Sequence, residues 1–350
     1  MNLKKLLYNI DFNSNKKIDN IIINSITHNS KEVQEGSLFI AIIGQNSDGN
    51  DYIGEAINNG AIAIITNKNL QKKSIPYIIV KNPREIMSKI SSTFYNNISK
   101  KMTIIGVTGT NGKTSICELI NFILNKSNLN SCTIGTLGLK NQNGTLNTNF
   151  TTPESNNIHH YLNTMNQNNI KNAVIEVSSH ALDLNRVDDI EFDIGIFSNL
   201  TPEHLDYHNN MDSYFQSKLK LFKKLKSNTN AIINIDNEYC NEIIKNSNCN
   251  VIKYSLVKKT DIFAKKFTCT LDGINATLNI FNENFEIKSS LLGEFNLLNI
   301  LASIGACIAL GIPKKKIIKS INLFQSIPGR LEKVPNKSQK NIFIDYAHTP

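Results

Sequence analysis

The residues of this chain whose types and spacing point most directly to chemistry are Thr108-Gly109-Thr110-Asn111-Gly112-Lys113-Thr114. Glycines let a backbone turn its N–H groups inward, where they can meet phosphate oxygens. A helix starting just after such a turn adds the partial positive charge of its N-terminus. Lys113 supplies a cation that can bridge β- and γ-phosphates, and the Thr114 hydroxyl is a hard oxygen for Mg²⁺. The segment therefore reads as a phosphate loop. The strict GxxxxGK[ST] spacing is missed by one place: Val107 stands where the first glycine belongs, and Gly106 comes one residue early. The plainer alternative is a glycine-rich turn that binds nothing. Against it, strand, loop, Lys-Thr pair and amphipathic helix follow in the order that phosphate binding needs.

Glu176 closes an apolar run and His204 follows the next one. In a parallel sheet the carboxyl ends of such strands open on one crevice, beside the loop. A carboxylate there can hold Mg²⁺. For His204 the residue alone leaves a helix-capping or core role open. Lys218 is one of several lysines on an amphipathic helix, where a solvated face is the plain reading, and Lys220 points to another face. Arginine is scarce: of 38 basic residues only Arg84, Arg186 and Arg330 are arginine. A guanidinium grips anions bidentately where an ammonium does not, so each of the three is a position to inspect.

These residues need a scaffold. The 350 residues are enough for two or three domains, and 40% hydrophobic with 19% charged residues suits a packed core. Short apolar runs at 37–43, 61–66 and 77–80, with a helical pattern at 52–59, predict a small α/β unit in the first hundred residues. Further buried strands are expected at 102–108, 173–177, 194–197 and 231–235, with a helix from Thr114. Residues 250–290 read as antiparallel strands, 294–310 as a long apolar helix, 141–149 as loop, and 342–346 as a last strand.

Composition excludes several classes. There is no run of 18 apolar residues for a membrane-spanning helix, and Met1–Ile10 turns polar too soon for a secretory leader. Six scattered cysteines without a CxxC pair argue against a disulfide framework or zinc site and fit a reducing cytoplasm. The formal charge of +9 comes from dispersed lysines rather than clustered arginines, so neither a nucleic-acid nor a membrane partner is expected.

The loop TGTNGKT resembles the ATP loop of the Mur ligase and folylpolyglutamate synthase superfamily. Further segments bring the resemblance to the tripeptide-synthetase branch of the Mur ligase family. They are Glu176-Val177-Ser178-Ser179-His180-Ala181-Leu182, Asn199-Leu200-Thr201-Pro202-Glu203-His204-Leu205-Asp206-Tyr207-His208, Gly329-Arg330-Leu331-Glu332 and Asp345-Tyr346-Ala347-His348-Thr349-Pro350. Gly36-Ser37-Leu38-Phe39-Ile40-Ala41, with Gly44 and Asp48-Gly49, resembles that family's nucleotide-sugar domain. The likeness runs through essentially the whole chain in order.

This resemblance implies an α/β fold: a UDP-MurNAc-binding domain over 1–99, a mostly parallel P-loop ATP-binding domain over 100–338, and at 339–350 the first strand of a truncated Rossmann-like amino-acid-binding domain. That strand is expected to find no sheet to join, and the chain as given not to complete the reaction alone. ATP contacts are implied for Gly109, Thr110, Asn111, Gly112, Lys113, Thr114, Ser115, Asn296, Asn299, Arg330 and Asp345. Thr114, Glu176, His204 and Lys218, the last as a carbamate, are implied magnesium ligands. Ser30, Gln45, Asn46, Ser47, Thr151, Thr152, Ser178 and Arg186 are implied substrate contacts. Two departures stand out: Leu184 replaces a usual Gln, and Asn29-Ser30-Lys31 replaces Asp-Ser-Arg. The implied activity is a cytoplasmic, monomeric, ATP- and Mg²⁺-dependent ligase, with Lys113, Lys218 and His204 as its catalytic groups. It would add a diamino acid to UDP-MurNAc-L-Ala-D-Glu through an acyl phosphate; meso-diaminopimelate is expected in preference to L-lysine from the Lys-, Asn- and Ile-rich composition, which suggests an AT-rich, reduced bacterial genome. The rivals are another ligase of the superfamily and a non-catalytic nucleotide-binding product.

Overall fold

The computed structural model describes the chain except residues 45–46, 70–73, 336–339 and 348–350. It divides into two compact units. The first comprises Met1–Lys101, Pro153–Thr164 and Asp183–Ile190, and the second Met102–Thr152, Met165–Leu182 and Glu191–Pro350.

In the first unit five strands form one sheet: β1 (Asn13–Ser14), β2 (Ser25–Thr27), β3 (Ser37–Ile40), β4 (Ala61–Thr66) and β5 (Tyr77–Ile79), in the order β1-β5-β4-β3-β2. All pairings are parallel except β1 with β5. Strands β3 and β4 are apolar through Leu38–Ile40 and Ala61–Ile65 because both their faces are covered. Leu38, Ile40, Ala63 and Ile65 join one core, and Phe39, Ala41 and Ile64 the other. The helix Pro83–Phe94 opens with Asn82 accepting from the Arg84 N–H and with Pro83 in its first turn, both strong start signals.

The second unit holds an eleven-stranded sheet. Its strands are β6 (Thr103–Thr108), β7 (Ser131–Gly135), β8 (Gly138–Asn141), β9 (Gly144–Leu146), β10 (Asn172–Glu176), β11 (Ile194–Phe197), β12 (Asn230–Asn234), β13 (Asn250–Ser255), β14 (Ile262–Thr270), β15 (Gly273–Ile280) and β16 (Glu283–Ser289). The order is β16-β15-β14-β13-β12-β11-β6-β10-β7-β8-β9. Strand β6, which leads into the phosphate loop, sits centrally between β11 and β10 and is parallel to both. One core joins these strands to the helices Lys113–Lys126, Glu294–Ala309 and Lys314–Leu323, through Ile116, Leu119, Ile120, Ile123, Leu297, Ile304 and Ile317. No described helix is long and apolar enough to cross a membrane.

Three sequence expectations need correction. Residues 250–290 are not all antiparallel: β13 runs parallel to β12 and to the start of β14, and the antiparallel ladder begins only with β14 and β15. The run Asn250–Ser255 extends the parallel sheet because Ala231 and Ile232 offer it an in-register partner, which is a tertiary choice. The asparagine-rich stretch 141–149 contains β9, a hairpin partner of β8. The final strand does find a partner: β18 (Phe343–Ile344) pairs antiparallel with β17 (Glu332–Lys333).

Candidate active site

The second unit folds the phosphate loop between β6 and the helix Lys113–Lys126. Gly109 has φ +149°, and a Cβ there would lie 1.9 Å from Ser198 Oγ. Gly112 has φ +88°, and its Cβ would lie 2.4 Å from Asn299 Oδ1. Only glycine suits either position. The end of β11 braces the loop: the Thr110 N–H donates to Asn199 O at 2.9 Å, the Asn111 N–H to Asn199 Oδ1 at 2.9 Å, and Ser198 Oγ to Asn111 O at 2.6 Å.

Lys113 Nζ folds over its own loop and donates to Gly109 O at 2.9 Å and Thr110 O at 2.7 Å. Burial pulls its pKa down, and Glu176 and Glu203 oppose that shift. Thr114 Oγ1 donates to Glu176 Oε2 at 3.0 Å and accepts from Arg330 Nη2 at 3.3 Å. Glu176, the last residue of β10, also accepts from the Thr136 N–H at 2.8 Å and the Thr136 hydroxyl at 3.2 Å. Its carboxyl is pushed up by burial, against the pull of Lys113 and these hydrogen bonds. Ser115 is buried in the first helical turn.

Lys218 lies in the helix Met211–Lys223 and is 1% exposed, so the solvated-face reading does not hold. Its Nζ donates to Gly109 O at 2.9 Å and lies 4.4 Å from the centroid of the Tyr214 ring. Burial holds its pKa well below the ordinary lysine value, Lys113 lowers it further, and Glu203 opposes both. Tyr214 reaches back to the loop, its hydroxyl 3.2 Å from Thr110 Oγ1. His204, with φ +55°, keeps its side chain 44% exposed and places Nε2 3.7 Å from Glu203 Oε2. Its ring centroid is 4.9 Å from that of His180.

Asn296 donates to Leu292 O at 2.8 Å and accepts from Asn299 Nδ2 at 3.1 Å, so the asparagine that lines Gly112 is fixed from behind. Asp345 accepts from the Leu331 N–H at 3.2 Å, beside Arg330. Thr151 Oγ1 lies 3.2 Å from Thr136 Oγ1. Thr152 Oγ1 donates to Glu176 O at 2.6 Å and lies 3.3 Å from Ser178 Oγ. One cluster thus gathers the loop, Thr114, Glu176, Thr152, Ser178, Lys218, Asn299 and Arg330.

Ser30, Ser47 and Arg186 belong to the other unit. Ser30 Oγ donates to Glu55 Oε2 at 2.7 Å, Ser47 is exposed, and Arg186 Nη2 sits 3.0 Å from Glu154 Oε1. Gln45 and Asn46 lie outside the described residues, as do His348, Thr349 and Pro350 of the last motif.

Oxygen donors dominate around the loop. Thr114 Oγ1 and the Glu176 carboxylate are hard ligands, and Mg²⁺ needs few protein ligands beside phosphate and water, so the residues present fit that ion. Among the described residues no three His, Cys, Asp or Glu side chains form a metal-binding group by themselves. Sequence reasoning gave no role to Thr136, Asn199, Glu203 or Tyr214. Glu203 and Tyr214 stand in the same segments as His204 and Lys218, and that place could have brought them under suspicion. Nothing local marks Thr136.

Comparison with known proteins finds relatives along the whole chain. The family pattern described as Mur ligase middle domain matches residues 107–307, and that described as Mur ligase family, catalytic domain, matches residues 22–97. The chain is 39% identical over 353 residues to a UDP-N-acetylmuramoyl-L-alanyl-D-glutamate–2,6-diaminopimelate ligase of Clostridioides difficile, covering 100% of this chain and 72% of that protein. It is 37% identical over 332 residues to the ligase of the same name from Caldanaerobacter subterraneus, covering 95% and 68%. A solved structure of a ligase of that name superposes with a TM-score of 0.80 at 25% identity, over 92% of this chain and 67% of the other. The fold is shared with a MurF ligase from Thermotoga maritima in complex with ADP, at a TM-score of 0.69 and 23% identity over 91% and 70%.

Proposed function

Because the chain belongs to the Mur ligase family, we propose that it is an ATP-dependent, ADP-forming ligase of peptidoglycan synthesis that joins meso-diaminopimelate to UDP-MurNAc-L-Ala-D-Glu. The observation that carries this reading is the convergence of Lys113, Thr114, Glu176 and Arg330 on one phosphate loop. The rival readings, a different superfamily ligase or a non-catalytic nucleotide binder, are not favoured by relatives that share this name over the whole chain.

In the proposed reaction the substrate's terminal carboxylate attacks the γ-phosphorus of ATP, ADP leaves, and the acyl phosphate is attacked by the amine of the diamino acid with loss of phosphate. Loop N–H groups and Lys113 offset charge on the transferring phosphoryl group, and Arg330 adds a second cation beside Thr114. To do so Lys113 must exchange the carbonyls of Gly109 and Thr110 for phosphate oxygens. Asn296, Asn299 and Asp345 belong to the nucleotide side of the site, and Thr151, Thr152 and Ser178 to the acyl side. Thr114, Glu176 and His204 would hold magnesium, which would supply further charge neutralisation. The buried Lys218 amine, having lost its proton, would add CO2 with release of a second proton to give a carbamate, an anionic oxygen ligand. Ser30, Ser47 and Arg186 receive the nucleotide-sugar substrate.

The test is ADP formation by the purified protein with ATP and Mg²⁺, with and without UDP-MurNAc-L-Ala-D-Glu. Turnover that depends on that nucleotide supports the reading. Equal turnover without it contradicts the reading.

A further inference from the structure

Two of the chain's three arginines end on the same atom. Arg84 Nη1 lies 2.6 Å and Arg186 Nη2 3.0 Å from Glu154 Oε1, all three side chains being nearly buried. The other carboxylate oxygen, Glu154 Oε2, is buried without a hydrogen-bond partner among the described residues. The guanidiniums on Oε1 therefore set how this carboxylate is turned. Arg84 makes a second contact as well, its Nη2 donating to Ile43 O at 3.1 Å. Ile43 bridges to Asp48, and the Gly44 N–H donates to Ser47 O at 2.8 Å, so Arg84 grips the base of the turn that carries Ser47. A planar guanidinium can hold two acceptors at fixed angles, and a lysine ammonium holds no such pair rigidly. In a chain with 38 basic residues and three arginines, this is a place where that difference matters.

We propose that Arg84 and Glu154 are positioning residues that couple the two ends of the substrate seat in the first unit. This rests on the proposed function, in which Ser47 and Arg186 both receive the nucleotide-sugar substrate, with Ser47 assigned here to its nucleotide end and Arg186 to its peptide end. Arg84 contacts Glu154 and Ile43. It fixes the Ser47 turn through Ile43 and fixes Arg186 through Glu154. The trio carries two positive charges and one negative, and the surplus positive charge suits the carboxylate-bearing peptide.

The experiment is calorimetric titration of UDP-MurNAc-L-Ala-D-Glu into the parent protein, Arg84→Lys, Arg84→Met, Arg186→Met and the Arg84→Met/Arg186→Met double variant. Titration of ADP in parallel reports whether each variant keeps an intact fold and phosphate loop. The expected result is a loss of tenfold or more in affinity for the nucleotide-peptide in both Arg84 variants, with ADP affinity within twofold of the parent. Once Arg186 is gone, Arg84→Met should cost less than it does in the parent. Arg84→Lys binding the nucleotide-peptide within twofold of the parent would overturn the proposal. So would fully multiplicative losses in the double variant, or loss of ADP binding in both Arg84 variants, which would make Arg84 a plain structural residue. A parent protein that does not bind UDP-MurNAc-L-Ala-D-Glu at all would instead sink the substrate reading on which the proposal stands.

Discussion

Lys113 and Lys218 donate to one and the same oxygen, the carbonyl of Gly109, each at 2.9 Å. Two ammonium groups converging on one carbonyl repel each other, and both lie where burial disfavours charge. In the proposed function the two lysines take different roles, Lys113 as cation toward the nucleotide and Lys218 as a carboxylated, anionic group. Glu203 offsets part of the repulsion from the other side.

Lys113→Ala should abolish ligation. Arg330 approaches the loop at Thr114 rather than at the carbonyls of Gly109 and Thr110, so it does not replace the lost cation. Losing a positioned charge of this kind costs at least about 3 kcal/mol of transition-state stabilisation. Steady-state kcat/KM within threefold of the parent would contradict the assignment.

Lys218→Ala should impair the reaction, and a short-chain carboxylate added to the assay should restore part of the rate by occupying the place of the carbamate. Lys220 is half-buried on the next face of the helix, and its replacement by alanine should be mild. Rates that fall equally in the two variants, or that fall only in the Lys220 variant, would contradict a carbamate at Lys218.

The loop and its flanking elements were legible in the sequence because neighbouring residues dictate them: the apolar run of β6, two glycines, and the apolar spacing from Ile116 to Leu124. Glu176 was legible through the rule that parallel strands end on one crevice. Burial of Lys218 was not, because helical periodicity tells which residues share a face and not that the Gly109 carbonyl and the Tyr214 ring will cover it. Thr136 was invisible for the same reason. It meets Glu176 across 40 residues of sequence, from a turn between β7 and β8. The parallel placement of β13 and the pairing of β17 with β18 are likewise set by partners remote in the chain.

Gly112→Ala should weaken both the fold and the nucleotide site. At φ +88° an alanine is strained by about 1–3 kcal/mol, and its Cβ would press on Asn299 Oδ1 from 2.4 Å. Urea unfolding should show a loss of that size, and ADP affinity should fall at least tenfold. A variant with parental stability and parental ADP affinity would mean that the loop does not hold this conformation.

Acid sensitivity should trace in part to His159. It is fully buried, neither ring nitrogen has a hydrogen-bond partner among the described residues, and burial pulls its pKa down to about 3. A folded-state pKa below the unfolded value of roughly 6.5 means stability is full above that pH and is lost as pH falls toward the folded value. Between pH 6.5 and 5 the group should cost about 2 kcal/mol. His159→Leu should flatten that part of the curve of unfolding free energy against pH. An unchanged slope would show that the histidine is protonated within the fold.

Activation of the UDP-MurNAc-L-Ala-D-Glu carboxylate at the phosphate loop is the step on which the proposed function turns, and trapping with hydroxylamine measures it. With ATP, Mg²⁺ and the nucleotide-peptide, but no diamino acid, hydroxylamine should capture the acyl phosphate. Hydroxamate and ADP should form in equal amounts, and both should be lost in Lys113→Ala. ADP without hydroxamate, or hydroxamate formation unaffected by Lys113→Ala, would contradict the proposed function.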